Sequence, residues 1–177
     1  MNGTLESLVI SDGDIGSDGA LVISASLKSN SALKCLFINR NHIGEIGAEA
    51  FSNNLKFNST LRELDLSGNM IGDGGARSIA GLLEHNNTLT SLSIAKNGIT
   101  VKGAKDIAQA LLLNSTLHSL NVSTNPIGLD GCASIMSSLQ FNSTLQHLYV
   151  NEVGADEANL IIEKLTHNSH LLALHMD

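Results

Sequence analysis

The side chains best suited to chemistry in this 177-residue chain are seven histidines, two cysteines, an aspartate-rich turn and several Asn-x-Ser/Thr triplets. Each pattern suggests a chemistry: paired imidazoles hold metal, thiolates act as nucleophiles, spaced carboxylates chelate calcium, and the triplets accept glycans. None of them closes into a site. His167 and His170 sit three apart at a helix end, and His147 and His175 fall on neighbouring strands without a third ligand or a carboxylate in the same columns. The run from Asp12 to Gly19 opens like a calcium loop, but its twelfth position is Ile23 where glutamate is needed. Cys132 takes a small core position, and Cys35 has no cation on its own strand to lower its pKa. There is no Gly-x-x-x-x-Gly-Lys-Ser/Thr run for phosphate. The expectation is a chain with no catalytic residue, no bound metal and no cofactor.

The glycines of the aspartate-rich turn and the asparagines of the triplets recur in phase, and that phase organises the chain. Leu5, Leu33, Leu61, Leu89, Leu117 and Leu145 are 28 residues apart, and each opens the phrase leucine-x-x-leucine-x-(Leu/Ile/Val). An asparagine follows in four units (Asn41, Asn69, Asn97, Asn125), with Gly13 at that position in the first. Then come a β-branched residue (Ile15, Ile43, Ile71, Ile99, Ile127) and a glycine–small pair, such as Gly47-Ala48 and Gly75-Ala76. Each unit closes on an asparagine: Asn30, Asn58, Asn86, Asn114, Asn142 and Asn168. The sixth unit aligns if two residues are missing before Asn151. Val153 and Gly154 then fall in turn columns and Ala158, Ile161, Ile162 and Leu165 in helix columns, and Leu171 opens a partial seventh unit. One domain is expected over residues 1–177, and a segment of a longer protein is the alternative.

Within a unit, Leu61, Leu64 and Leu66 should face the core, the last two alternating as in a strand, while Ala76, Ile79, Ala80 and Leu83 recur at three and four, as on a helix. Neither element buries its apolar face alone, so the units must stack. The glycine–alanine column is expected to bring helix close to sheet. The first asparagine column is expected to satisfy backbone groups where the chain turns inward, and the closing asparagines to satisfy helix-end carbonyls rather than carry glycans.

The combination Leu-x-x-Leu-x-Leu-x-x-Asn-x-Ile-Gly and Gly-Ala-x-x-Ile-Ala-x-x-Leu, over residues 5–177, resembles the ribonuclease-inhibitor type of leucine-rich repeat. The resemblance implies an α/β solenoid, a horseshoe with parallel strands on the concave face and helices on the convex face. Proteins with this repeat include enzyme inhibitors, nucleotide-binding leucine-rich-repeat sensors, a Ran GTPase-activating protein and bacterial effectors, which implies protein binding on the concave face.

Strand positions three and five should point to that face. The third-position column reads Ser7, Cys35, Glu63, Ser91, Ser119, His147, Ala173, and the fifth reads Val9, Phe37, Asp65, Ser93, Asn121, Tyr149, His175. Folding requires no aromatic there, so Phe37 and Tyr149 are the expected anchors for a protein partner. Arg40, Glu63, Asp65, His147 and His175 are expected around them. A GTPase-activating or enzyme-inhibiting protein, or a structural segment of a larger sensor or effector, are the alternative readings. Net charge is −7, from ten basic and seventeen acidic residues, which favours neither nucleic acid nor anionic lipid as partner. The opening residues carry neither a basic patch nor an apolar run, so no signal peptide or membrane span is expected. The sparse cysteines suit the cytoplasm, a host cell's cytosol in the case of a bacterial effector. The solenoid ends lack evident polar caps, and self-association through them is a further expectation.

Overall fold

The computed structural model describes residues 3–150, 163, 165–166 and 168–176. Strands and helices alternate along it: β1 (Ser7–Val9), α1 (Gly16–Leu27), β2 (Cys35–Phe37), α2 (Gly44–Leu55), β3 (Glu63–Asp65), α3 (Gly72–Leu83), β4 (Ser91–Ser93), α4 (Val101–Leu111), β5 (Ser119–Asn121), α5 (Gly128–Ser138), β6 (His147–Val150) and β7 (Ala173–Met176). The strands form one seven-stranded parallel sheet in sequence order, and each helix packs on the next. Strands β1 to β6 pair with the 28-residue shift that the leucine phase dictates, Leu36 opposite Leu64 and Leu64 opposite Leu92, while β6 and β7 pair with a shift of 26, Leu148 opposite Leu174. The sixth-unit alignment at Val153, Gly154, Ala158, Ile161 and Ile162 lies outside the described residues. Leu165 and Leu171, both described, pack half-buried against the core.

Leucine, isoleucine and alanine columns stack between sheet and helices as one continuous core, with Phe51 taking the place that Ile79, Ile107 and Ile135 fill in later units. Burying such a side chain contributes about 1.5–3 kcal/mol, which no single unit secures without neighbours. The glycines that begin the glycine–small pairs work differently from the expectation. A Cβ on Gly75 would lie 2.7 Å from the Cβ of Ile71 and 3.0 Å from that of Ala48, in the preceding helix. The close approach they permit is therefore of helix to helix, and the sheet is not involved.

Two asparagine ladders hold the backbone. In the first, the Asn69 Oδ1 accepts the Asn41 N–H at 2.8 Å, while its Nδ2 donates to the Ile38 and Leu66 carbonyls at 3.0 and 2.9 Å. The amide thus serves both kinds of group and ties each unit to the one before it. In the first unit the Gly13 N–H still donates to the Asn41 Oδ1 at 2.9 Å, although that unit has no amide of its own in this column. In the second ladder the Asn58 Nδ2 donates to the Leu27 carbonyl at 2.8 Å, and its Oδ1 accepts from the Thr60 and Leu61 N–H groups. The carbonyl satisfied is the helix end of the preceding unit, not of its own. Asn86, Asn114 and Asn142 repeat the arrangement, and all four are buried. An amide nitrogen so engaged is not available to a glycan, so the triplets are structural here. Among the described residues every buried side-chain nitrogen and oxygen is satisfied.

Candidate protein-binding face

Pairing in register lines the two outward columns up across the whole sheet. Ser7, Cys35, Glu63, Ser91, Ser119, His147 and Ala173 oppose one another in turn, and so do Val9, Phe37, Asp65, Ser93, Asn121, Tyr149 and His175. All are half-buried or exposed, as strand alternation above a buried leucine column requires.

The two ends of this floor are apolar or aromatic. On β1 and β2, half-buried Phe37 lies opposite Val9, which is 65% exposed. On β6 and β7, the rings of Tyr149 and His175 stack face to face, with centroids 4.2 Å apart and planes 6° apart. Four strand steps separate Phe37 from Tyr149, about 19 Å at sheet spacing. The floor between them is polar and largely satisfied from within. The Asp65 carboxylate accepts the Ser67 N–H at 2.8 Å, the Ser67 and Ser93 hydroxyls lie 2.7 Å apart, and the Asn121 Oδ1 accepts from the Ser123 N–H and hydroxyl.

Both cysteines stand where their columns place them. Burial pushes the Cys35 thiol above its ordinary range, and the Glu63 carboxylate beside it, by charge and by hydrogen bond, pushes the same way. Cys132 is buried in the core. Arg40 stands apart from the strand columns, in the loop above the sheet, where its guanidinium is 3.5 Å from the Asp12 carboxylate. His42 and Asp14 pair beside it at 3.1 Å. Asp12, Asp14 and Gly16 all have positive φ, and Arg40, His42 and Gly44 repeat that geometry one unit later. The aspartate-rich run is therefore the turn that other units build from other residues, not a chelating loop. His147 opposes Ala173 rather than His175, and His170 is exposed; His167 lies outside the described residues. Among the described residues no three of His, Cys, Asp and Glu come together as metal ligands.

The sequence reading missed one feature. Phe57 is 86% exposed, Phe141 77% and Leu113 65%. All three precede a closing asparagine, so they share one column of the repeat with Ser29 and His85. Comparing that column across units would have revealed them.

A parallel sheet with a helix behind each of its first five strands, its backbone tied by asparagine ladders, defines a leucine-rich-repeat solenoid. The chain belongs to the leucine-rich-repeat family: the "Leucine Rich repeat" model matches residues 2–24, 57–80, 85–108 and 113–136, more than half of it. No curated protein matches. Among solved structures, the chain is similar to "Leiomodin-1 Actin-Binding Site 2 (ABS2)", with 27% identity over 85% of this chain and 88% of that one, at a TM-score of 0.71. It shares its fold with a Caenorhabditis elegans tropomodulin C-terminal domain, with 15% identity over 86% of this chain and 92% of that one, at a TM-score of 0.69. No helix among the described residues is long and apolar enough to cross a membrane.

Proposed function

We propose that the chain is a non-enzymatic protein-interaction module whose concave strand face grips a protein partner. Phe37 and Tyr149 are its anchors, with Arg40, Glu63, Asp65, His147 and His175 around them. The observation that carries this reading is the pair of aromatic positions about 19 Å apart with a largely polar floor between them. Nothing in the core or the ladders uses either ring, so folding gives no reason for them. The similarity to the leiomodin domain, whose name records actin binding, makes actin the first partner to test. The 28-residue phrase supports placing the repeats in the ribonuclease-inhibitor subclass. One domain over residues 1–177, acting in the cytoplasm, completes the proposal.

The test is a paired measurement on Phe37→Ala and Tyr149→Ala: affinity for actin, and melting temperature. Truncating an anchor costs about 2 kcal/mol of binding, roughly a thirtyfold loss, with the melting temperature almost unchanged. Matched losses in both would make the two rings structural. Actin binding by the wild type that neither change weakens would remove the concave face from the proposal, and no actin binding would remove the partner.

A further inference from the structure

The row Phe57, Leu113 and Phe141 lies away from the concave face, on the turns that close each unit after its helix. Two of the chain's four phenylalanines stand there almost fully in solvent, in phase with each other and with Leu113, while Phe51 fills the core. Leu112, 41% exposed, extends the row. Beside Phe141 the surface dips into a hollow of about 310 Å³ between α4 and α5, with Leu112, Ala108, Gln109 and Lys105 on one side and Ser134, Ser137 and Ser138 on the other. A row of large apolar side chains beside an open hollow suits a partner's side chains better than it suits water.

Charge identifies the occupant. The closing turns, residues 27–34, 55–62, 83–90, 111–118 and 139–146, hold four of the ten basic residues (Lys28, Lys34, Lys56, Arg62) and one of the seventeen acidic ones, Glu84. All four basic residues stand in the first two of these turns, so the edge is basic at that end and carries only Glu84 along the rest. Lys34 pairs with Glu6 at 2.6 Å, whereas no ion pair engages Lys28, Lys56 or Arg62 among the described residues. We infer that this edge is a second docking surface, for a protein segment that is acidic toward one end and carries large apolar residues toward the other. Its carboxylates would meet Lys28, Lys56 and Arg62, and its apolar side chains would cover Phe57, Leu113 and Phe141. A lipid surface fits less well, because Glu84 interrupts the row and a bilayer cannot enter the hollow between the helices. The chain then holds two partners at once, one on the strand face and one along this edge.

The experiment selects short random peptides displayed on phage against the wild-type chain. It then measures the winners against three variants: Phe57→Ser/Leu113→Ser/Phe141→Ser, Lys56→Glu/Arg62→Glu, and Phe37→Ala/Tyr149→Ala. The expected winners combine Asp or Glu with Leu, Ile or Phe. They lose at least about tenfold in affinity with each of the first two variants and nothing with the third. Should the serine variant fold poorly, the charge reversal decides alone, since it leaves the apolar row in place. No enrichment, winners without acidic residues, or binding that survives the charge reversal overturns the inference. So does sedimentation of the wild type, but not the serine variant, with phosphatidylcholine vesicles containing phosphatidylserine, which would assign the row to lipid. Failure here leaves the concave face untouched, because its own variant is scored separately.

Discussion

Replacing Asn97 with alanine removes four hydrogen bonds from the middle of the first ladder. The Asn97 Oδ1 accepts from the Asn69 N–H at 2.7 Å and the Ile71 N–H at 3.4 Å, and its Nδ2 donates to the Leu66 and Ala95 carbonyls at 3.0 Å each. These losses are unequal. The Leu66 carbonyl keeps the Asn69 Nδ2 at 2.9 Å, and the Ala95 carbonyl keeps the Gly68 N–H at 2.9 Å. The Asn69 N–H, in a residue fully buried, loses its short acceptor, and a buried donor left so costs about 1–3 kcal/mol. Adding about 1 kcal/mol for the weakened carbonyls brings the total to about 3 kcal/mol. With a urea slope of about 2–3 kcal/mol per molar, the denaturation midpoint falls by roughly 1–1.5 M. Asn41→Ala is the control. The donors it strands, the Gly13 N–H and the more distant Ile15 N–H, belong to an exposed and a half-buried residue, where water takes the place of the amide. Its cost is at most about half that of Asn97→Ala. Equal midpoints for the two variants, or an unchanged midpoint for Asn97→Ala, would refute the claim that buried ladder bonds tie unit to unit.

Gly103→Ala should destabilise despite alanine's better helix propensity, because the new Cβ would lie 2.7–2.8 Å from Asp73 Oδ1, Ile99 Cγ2 and Ala76 Cβ; overpacking of this kind costs about 1–3 kcal/mol. Gly81→Ala, whose Cβ meets nothing within 4 Å, should raise the melting temperature, and the two changes moving it the same way would contradict the helix-to-helix account. Asp73 gives a pH signature. Burial acts to raise its pKa, but hydrogen bonds from the Thr100 hydroxyl and N–H and from the Gly103 N–H outweigh it and hold the carboxyl below its ordinary range. A carboxylate so depressed stabilises the fold above its unfolded pKa, about 4, and that stabilisation is lost as pH falls through the lower folded value. The stability gap between wild type and Asp73→Ala should therefore be flat at neutral pH and shrink in acid, and a gap that widens in acid would reverse the assignment.

The architecture was legible because one constraint repeats. A leucine column that must stay buried fixes strand, register and stacking together, so Leu36, Leu64, Leu92, Leu120 and Leu148 pair as their spacing says. Two details were not legible, for a common reason. The glycine of Gly75-Ala76 meets Ala48, and the amide of Asn58 meets the Leu27 carbonyl, both one unit earlier, so neither contact is visible within a single repeat. The outward strand columns were read correctly because alternation alone orients them. The row of Phe57, Leu113 and Phe141 escaped because it falls in turns, where no period of two or of 3.6 says which way a side chain points.

Why the binding surfaces should lie where they do follows from the same bookkeeping of hydrogen bonds. The ladders satisfy the backbone with asparagines that never reach the surface, and the core takes its apolar area from columns that point inward. What remains, the third and fifth strand positions and the residue before each closing asparagine, lies outside both the core columns and the ladders. At such positions a polar residue commits part of its hydrogen-bonding capacity to a neighbour, as Asp65 does with Ser67 and Asn121 with Ser123. An outward-facing aromatic holds its exposed apolar area in reserve. Phe37 and Tyr149 on the strands, and Phe57 and Phe141 on the turns, are therefore the positions from which the proposed partners would draw their binding energy. Their separation by several units demands partners long enough to span more than one repeat. A partner that engaged only one unit would leave the in-phase recurrence of these side chains without a physical cause.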